Sequence, residues 1–227
     1  MAQSRTVPVI LLGLGNVGGV LLRQIVETQE VVQQRVGVKL LPIGLADISG
    51  VVFDANGLRD EVIQGALNAV QNRQLLDSAT ATRPLDDLAG LVPAGAIVAD
   101  VTAAKQNVPL LKAILAAGGG AALANKNPMT GVWAETEALF ASPRLRYECT
   151  VGAGLPVIAN LQALLDTGDQ PLRIEGCLSG TLGYLCAELE RGVAYAQDNA
   201  LKGRTFDSLA AQNRHLTEWE TTVADTR

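Results

Sequence analysis

The composition of the chain is that of a folded, acidic protein. Of its 227 residues, 48% are hydrophobic, 18% are charged and 4% are aromatic. These proportions exclude intrinsic disorder, because disordered chains combine low hydrophobicity with high charge. The formal net charge is −5 and no run of Lys or Arg occurs, so we expect no nucleic-acid partner. The length lies between that of one average domain and that of two.

Cysteine usage and hydropathy predict a cytoplasmic protein. Cys149, Cys177 and Cys186 form no Cys-x-x-Cys pair, and together with the single histidine, His215, they lack the spacing of zinc ligands. Glycines interrupt the apolar stretch at residues 7–22 and no small-x-small cleavage site follows it, so we expect no signal peptide. No window reaches the roughly 18–20 uninterrupted apolar residues of a membrane span, so we expect no membrane partner.

Short apolar runs alternate with segments of helical periodicity in the first half of the chain. This order is typical of the α/β class, and we predict a Rossmann-type doubly wound parallel sheet with helices on both faces. The runs are continuous, as expected of strands that are buried on both sides. The predicted strands lie at residues 7–12, 38–46, 96–101 and 121–124, and the predicted helices at residues 17–28, 58–70, 108–115 and 132–140.

The pattern changes near Tyr147, where we place a boundary between a first domain of residues 1–147 and a second of residues 148–227. For the second part we predict an incomplete α+β substrate and dimerisation domain, with an atypical polar tail from about residue 193. Its predicted elements are strands at residues 144–149 and 172–178, helices at residues 156–165 and 181–190, and a tail in which Leu209, Leu216, Trp219 and Val223 recur at helix-like spacing.

A Gly-x-Gly-x-x-Gly motif directly follows the first predicted strand and opens the first predicted helix. Here the first glycine permits a tight turn, the second lets the backbone approach a pyrophosphate, and the third lets helix and strand pack closely. The N-terminus of the helix offers N–H groups to the phosphates. We therefore predict a dinucleotide site, and a strand-turn-helix whose glycines serve packing alone is the alternative. The motif consists of Gly13, Gly15 and Gly18, with Asn16 and Val17 between the second and third glycines.

Asp47 follows the second predicted strand, where an acidic side chain can accept hydrogen bonds from the ribose hydroxyls of an adenosine. A carboxylate in this position repels a 2′-phosphate and favours NAD over NADP. The same side chain could instead cap the turn that follows it. Both interpretations stay open, and with them the choice between NAD and NADP.

Several segments, together with the glycine motif, resemble homoserine dehydrogenase. Residues 100–102 read Asp-Val-Thr and residues 125–126 read Asn-Lys, each after a predicted strand. Residues 151–156 read Val-Gly-Ala-Gly-Leu-Pro, and residues 176–181 read Gly-Cys-Leu-Ser-Gly-Thr, in which the cysteine departs from the family pattern. The resemblance spans roughly residues 7–192.

The resemblance implies an oxidoreductase that uses NADP or NAD to interconvert L-homoserine and L-aspartate 4-semialdehyde, in the biosynthesis of threonine and methionine. It places Thr102 and Lys126 in the cofactor region, with Lys126 also at the substrate. A lysine at the carboxyl end of a strand is well placed to polarise a carbonyl, so Lys126 is the candidate catalytic residue. The alternative is an exposed loop lysine. The family also implies a homodimer.

The resemblance further implies a monovalent cation, such as sodium, held by backbone carbonyls of a Gly-rich segment. Residue by residue, these ligands map to Glu148, Val151, Ala153 and Leu155. Hard cations take oxygen ligands, and a Gly-rich turn can direct several carbonyls inward. The alternative is a hinge loop whose glycines supply only turn conformations.

The C-terminal part departs from the family pattern. The family carries a Gly-Tyr-Thr-Glu-Pro-Asp-Pro segment and a proton-donating lysine, whereas residues 203–207 read Gly-Arg-Thr-Phe-Asp and no lysine follows Lys202. We therefore expect a truncated or frame-shifted homoserine dehydrogenase, with residues 172–178 as an exposed edge strand. Loss of a positioned proton donor costs roughly 10²–10⁴ in rate, so we expect reduced activity. Rival interpretations are a catalytically inactive dinucleotide-binding module and a different dehydrogenase that acts on an amino acid or semialdehyde.

Overall fold

A six-stranded sheet forms the centre of the first part of the chain in the computed structural model, which describes residues 4–176 and 179–224. The strands are β1 (Arg5–Leu12), β2 (Val38–Asp47), β3 (Gly50–Phe53), β4 (Ile97–Asp100), β5 (Gly120–Leu123) and β6 (Leu145–Arg146). Their order is β3-β2-β1-β4-β5-β6. All neighbouring strands pair in parallel except β3, which is antiparallel to β2. The predicted α/β class and doubly wound sheet are confirmed, with an antiparallel edge strand added.

Six helices of this part lie between strands, and a seventh follows β6. They are α1 (Asn16–Glu27), α2 (Gln29–Val36), α3 (Asp60–Gln71), α4 (Leu88–Leu91), α5 (Val108–Ala116), α6 (Trp133–Phe140) and α7 (Val157–Asp166). The helices predicted in this region all form. The additional helix α2 buries none of its residues, so it has no apolar stripe by which the sequence could have indicated it.

Strand β1 is buried on both faces, which explains its continuous apolar sequence. Ile10 and Leu12 pack in one cluster with Ile114 of α5. Leu11 points to the opposite face and packs in a second cluster with Leu22 of α1. Complete burial of one such aliphatic side chain stabilises the fold by about 1.5–3 kcal/mol. Helices therefore cover the sheet on both sides of its central strand.

The hairpin of β2 and β3 was not predicted, because β3 has only four residues. Asp47 pairs with Gly50, so Ile48 and Ser49 form a two-residue turn between the strands. Gly50 has a φ of 136°, and a Cβ at this position would lie 2.5 Å from the carbonyl oxygen of Arg83. Only glycine fits this position, for both conformational and steric reasons.

The strand order reverses at β1, which lies between β2 and β4. In an open α/β sheet, such a reversal leaves a crevice at the carboxyl ends of the strands. The glycine motif lies immediately after β1 and therefore opens into this crevice. The topology thus places the predicted dinucleotide site where ligands bind in folds of this class.

The two strands predicted after residue 143 do not form as predicted. The strand predicted at residues 144–149 is limited to β6, because a 3₁₀ turn, Glu148–Thr150, follows it. The predicted strand at residues 172–178 is wrong for residues 172–176, which form no strand, and residues 177 and 178 lie outside the described residues. Leu172 is 97% exposed. An apolar pattern alone does not make a strand, because a strand also needs a hydrogen-bonded neighbour.

The chain divides into two compact units, Met1–Pro171 and Leu172–Arg227. This division falls later than the boundary proposed near Tyr147, because the Glu148 carboxylate accepts hydrogen bonds from the N–H groups of Ile158 (2.9 Å) and Ala159 (2.8 Å) and so ties α7 to the first unit. The boundary between cofactor and substrate domains stays a prediction.

The described residues of the second unit are mainly helical. Helix α8 (Gly180–Ala196) includes the predicted helix at residues 181–190, and α9 (Leu209–Trp219) follows the helix-like spacing of the tail. The Tyr195 and Trp219 rings lie 5.6 Å apart, so the two helices pack against each other. Across the described part of the chain, no helix combines the length and hydropathy needed to cross a membrane.

Candidate functional site

A cleft of about 870 Å³ lies at the carboxyl ends of β1, β2 and β4. The glycine motif, the end of β2, the segment after α3 and the segment after β4 form its walls. Among the described residues that line it, the charged ones are Asp47 and Arg73. The predicted site residues Gly13, Gly15, Asn16, Asp47 and Thr102 all line this cleft, whereas Val17, Gly18 and Lys126 do not.

The three glycines of the motif have different surroundings. Gly13 has a φ of 96°, and its backbone lies against Thr102, whose Cγ2 would be 3.0 Å from an added Cβ. A Cβ at Gly18 would lie 1.8 Å from the carbonyl oxygen of Gly13, so the start of α1 packs directly on the loop. A Cβ at Gly15 would meet no atom within 4 Å. Gly15 is therefore not needed for packing, and the open space above it leaves room for a ligand.

The N-terminus of α1 is open towards the cleft. Gly15 occupies the N-cap position without a side-chain hydrogen bond, and the first turn contains no acidic residue. Asn16, the first residue of the helix, lines the cleft. The free N–H groups of the first turn and the helix dipole therefore favour an anion at this point.

The Asp47 side chain caps the β2–β3 turn. Its Oδ1 atom accepts hydrogen bonds from the Ser49 N–H (2.7 Å) and the Ser49 hydroxyl (2.6 Å), and its Oδ2 atom accepts one from the Leu76 N–H (2.7 Å). The capping interpretation of Asp47 thus describes its contacts in the structure. Ribose binding by this carboxylate stays a prediction.

Asp100 organises the other wall of the cleft. It is fully buried, and its Oδ1 atom accepts hydrogen bonds from the Thr102 N–H (3.0 Å) and hydroxyl (2.7 Å). Its Oδ2 atom accepts hydrogen bonds from the Nδ2 atoms of Asn107 (3.0 Å) and Asn125 (3.1 Å). Because the Thr102 hydroxyl donates to Asp100, that hydroxyl orders the cleft wall.

Asn125 connects the segment after β5 to the segment after β4. Its Nδ2 atom also donates to the Ala104 carbonyl (2.7 Å), and its Oδ1 atom accepts from the Asn127 N–H (3.1 Å). Lys126 lies between these two asparagines, and its side chain is exposed. The network therefore fixes the backbone on both sides of Lys126, but the structure does not bring this side chain into the lining of the cleft.

The segment predicted to hold a cation forms a compact turn. Gly152 and Ala153 both have positive φ values, 70° and 54°, and left-handed backbone is uncommon for alanine. The Leu155 carbonyl accepts a hydrogen bond from the Val157 N–H (2.9 Å). The Glu148 carbonyl accepts a longer hydrogen bond from the Val151 N–H (3.4 Å). No cluster of three His, Cys, Asp or Glu side chains that could hold a metal occurs in the described part of the chain. The carbonyl cation site stays a prediction.

Sequence reasoning missed two features of this cleft. Arg73 follows α3, in a region without a motif, and only the fold shows that it reaches the cleft. The central position of Asp100 was also not predicted, although an aspartate that ends an apolar strand two residues before a threonine indicates a side-chain-capped turn. Asn107 joins this network from the start of α5 and carries no comparable local signal.

Comparison with curated proteins gives long matches. The chain is 30% identical over 208 residues to the bifunctional aspartokinase/homoserine dehydrogenase of Haemophilus influenzae, a match that covers 88% of this chain and 24% of that protein. It is 29% identical over 199 residues to the homoserine dehydrogenase of Saccharomyces cerevisiae, covering 85% of this chain and 52% of that one. The chain is similar to homoserine dehydrogenases. The resemblance predicted from the motifs is therefore confirmed over most of the chain.

Solved structures agree with this homoserine dehydrogenase similarity. A mutant of a hyperthermophilic archaeal homoserine dehydrogenase, solved in complex with NADPH, is 25% identical with a TM-score of 0.58 and covers 71% of this chain and 50% of that one. No family model matches the chain. The chain spans half or less of the archaeal and Haemophilus proteins and 52% of the yeast enzyme.

Proposed function

We propose that the chain binds NAD or NADP in the cleft and takes part in the interconversion of L-homoserine and L-aspartate 4-semialdehyde. The observation that carries this proposal is the open space above Gly15, at the turn between β1 and α1. A glycine that nothing in the protein requires for packing, next to an uncapped helix N-terminus, is expected where a pyrophosphate approaches the backbone. The similarity to homoserine dehydrogenases supports the choice of substrate.

The residues of the cleft fit a dinucleotide. Gly13, Gly15 and the N–H groups around Asn16 and Val17 would hold the pyrophosphate, and Gly18 would keep α1 close to the loop. The nicotinamide ring, when bound, supplies or accepts the hydride. Thr102 would contact the cofactor through its backbone and methyl group, because its hydroxyl donates to Asp100.

Lys126 is the proposed polarising group for the substrate carbonyl. The asparagines that flank it are held by the Asp100 network, so its backbone has a defined position at the carboxyl end of β5. Its exposed side chain has the length to move towards a bound substrate, and a lysine ammonium stabilises negative charge that develops on an oxygen. We further propose a monovalent cation at the carbonyls of Glu148, Val151, Ala153 and Leu155, and a cytoplasmic location.

The proposal is tested by a dinucleotide titration and an activity assay on the same protein. Gly15→Val should abolish binding while the protein stays folded, because the added side chain projects into open space. Gly192→Val is the matched control, since an added Cβ there also meets no atom within 4 Å and the residue lies in α8, outside the cleft. Unchanged affinity in folded Gly15→Val protein would refute the site.

Turnover of homoserine, followed by nicotinamide absorbance, tests the reaction itself. Lys126→Met should lower kcat by about 10²-fold, the range expected for a positioned catalytic group, with little change in dinucleotide affinity. Binding without any turnover by the unsubstituted chain would instead favour a catalytically inactive dinucleotide-binding module. Turnover that survives Lys126→Met unchanged would exclude a catalytic role for this lysine.

A further inference from the structure

Arg73 occupies a position that normally favours glycine. Helix α3 ends in a Schellman motif, in which the Arg73 N–H donates to the Val70 carbonyl (3.1 Å) and the Gln74 N–H donates to the Ala69 carbonyl (2.8 Å). Arg73 therefore adopts a φ of 56°, in the left-handed region. A side chain with a Cβ is disfavoured in this conformation.

Two other helices end with the same motif, and both use glycine. At the end of α5, Gly118 has a φ of 83°, and its N–H donates to Leu115 (3.1 Å). At the end of α7, Gly168 has a φ of 86°, and its N–H donates to Leu165 (3.0 Å). Glycine is thus the residue at this position in the two other helices. The arginine at the end of α3 needs a separate explanation, because its left-handed backbone is less favourable.

The side chain of Arg73 supplies that reason, because it lines the cleft. In the part of the chain that the structure describes, its guanidinium group forms no ion pair with any carboxylate, including Asp47 on the same cleft. Asp47 in turn accepts three hydrogen bonds from Ser49 and Leu76, which offset its charge. Arg73 belongs to the segment that the Leu76 N–H joins to Asp47 at the end of β2, so the cleft has an unpaired cation on the side where the adenosine ribose of a dinucleotide is expected.

The lining of the cleft is also partly apolar. Ile48, Leu75 and Leu85 also line the cleft and are 90%, 43% and 39% exposed. Exposed aliphatic surface next to a guanidinium group suits an adenine ring whose ribose carries an anionic substituent. A guanidinium group binds phosphate with two parallel hydrogen bonds, whereas it has no comparable partner in an unmodified ribose.

We propose that Arg73 binds the 2′-phosphate of NADP and gives the cleft a preference for NADP over NAD. This inference rests on the dinucleotide site of the proposed function. It reverses the expectation drawn from Asp47 alone, because the Asp47 carboxylate is hydrogen-bonded to the turn and to the segment after α3, while Arg73 lines the cleft without a carboxylate partner among the described residues. The cost of a non-glycine residue in the Schellman motif is then offset by ligand recognition.

Calorimetric titrations with NADP⁺ and NAD⁺ test the preference. The unsubstituted chain should bind NADP⁺ at least about tenfold more tightly than NAD⁺, as expected of a charge-assisted phosphate contact. Arg73→Gln should remove this difference and leave NAD⁺ affinity within about twofold. Arg35→Gln removes the same charge from α2, away from the lining of the cleft, and should change neither affinity.

A second variant separates ligand recognition from a structural role. Arg73→Gly places the favoured residue in the Schellman motif, so it should raise the urea midpoint of unfolding and at the same time lower NADP⁺ affinity about tenfold. An unchanged ratio of NADP⁺ to NAD⁺ affinity in either Arg73 variant, or a preference of the unsubstituted chain for NAD⁺, would overturn the inference. Failure of the unsubstituted chain to bind either dinucleotide would refute the dinucleotide site itself, and the inference with it.

Discussion

The carboxyl ends of β2 and β4 carry the same local arrangement in two different environments. Asp47 accepts hydrogen bonds from the N–H and hydroxyl groups of Ser49, and Asp100 accepts them from the same groups of Thr102. Asp47 is half-buried and its second oxygen meets one backbone N–H, whereas Asp100 is fully buried and its second oxygen meets two asparagine side chains. One Asp-x-Ser/Thr pattern therefore serves as a local cap at β2 and as the centre of a network at β4.

The largest effect is expected when the centre of the network is removed. Asp100→Ala removes the acceptor of two hydrogen bonds from Thr102 and of one each from Asn107 and Asn125, and each donor left unsatisfied in this buried place costs about 1–3 kcal/mol. We expect a decrease of about 3 kcal/mol or more in the free energy of unfolding, measured by urea denaturation. A decrease of less than about 1 kcal/mol would mean that water takes over the hydrogen bonds of the carboxylate. Asp100 would then contribute no more to stability than Asp47 does.

A smaller effect is expected when one member of the network loses a hydroxyl group. Thr102→Val keeps the shape of the side chain but removes the donor to Asp100 and the acceptor of the Ala104 N–H (3.1 Å). We expect a loss of about 1–2 kcal/mol by the same measurement. Ser49→Ala is the matched change at the end of β2, and it should destabilise the protein less. An equal loss from Ser49→Ala and Thr102→Val would contradict the difference between the two strand ends.

The smallest effect is expected at the end of β2. Asp47→Ala removes hydrogen bonds that solvent can partly replace, because the residue is only half-buried. We expect a loss of about 1 kcal/mol, the typical cost of removing a side-chain cap. A loss equal to that of Asp100→Ala would show that the anchoring of the segment after α3 by Leu76, and not burial, determines the energetics.

The sequence predicted the sheet better than it predicted the walls of the cleft. Continuous apolar runs indicate buried strands, and the glycine motif marks the turn after β1, so both could be found from local pattern. β3 has four residues and pairs with its neighbour through a two-residue turn, which is too short for a periodic signal. The strand predicted at residues 172–178 shows the opposite error, since apolar residues at 172–176 lack a strand partner.

Among the site residues, those that depend on local geometry were identified and those brought in by the fold were not. Gly13 and Gly15 were correctly placed at the strand-to-helix turn, because their sequence spacing determines their structural role. Arg73 reaches the cleft only through the packing of α3 beside the sheet, which no local pattern indicates. Lys126 was identified through family resemblance, and its exposed side chain leaves its role to the activity assay.

The Asp100 network also has a consequence for the dynamics of the chain. Its hydrogen bonds join the segments after β4 and β5 into a single unit, because Asn125 contacts both Asp100 and Ala104. Local opening follows such cooperative units, so amide hydrogens in the two segments should exchange with solvent at similar rates. The turn after β2 has no bond to this network among the described residues, and it is bonded instead to Leu76, Asp77 and Thr82 in the segment after α3. The two walls of the cleft therefore belong to separate hydrogen-bonded units, and the unit at β2 can open while the unit at β4 and β5 stays closed.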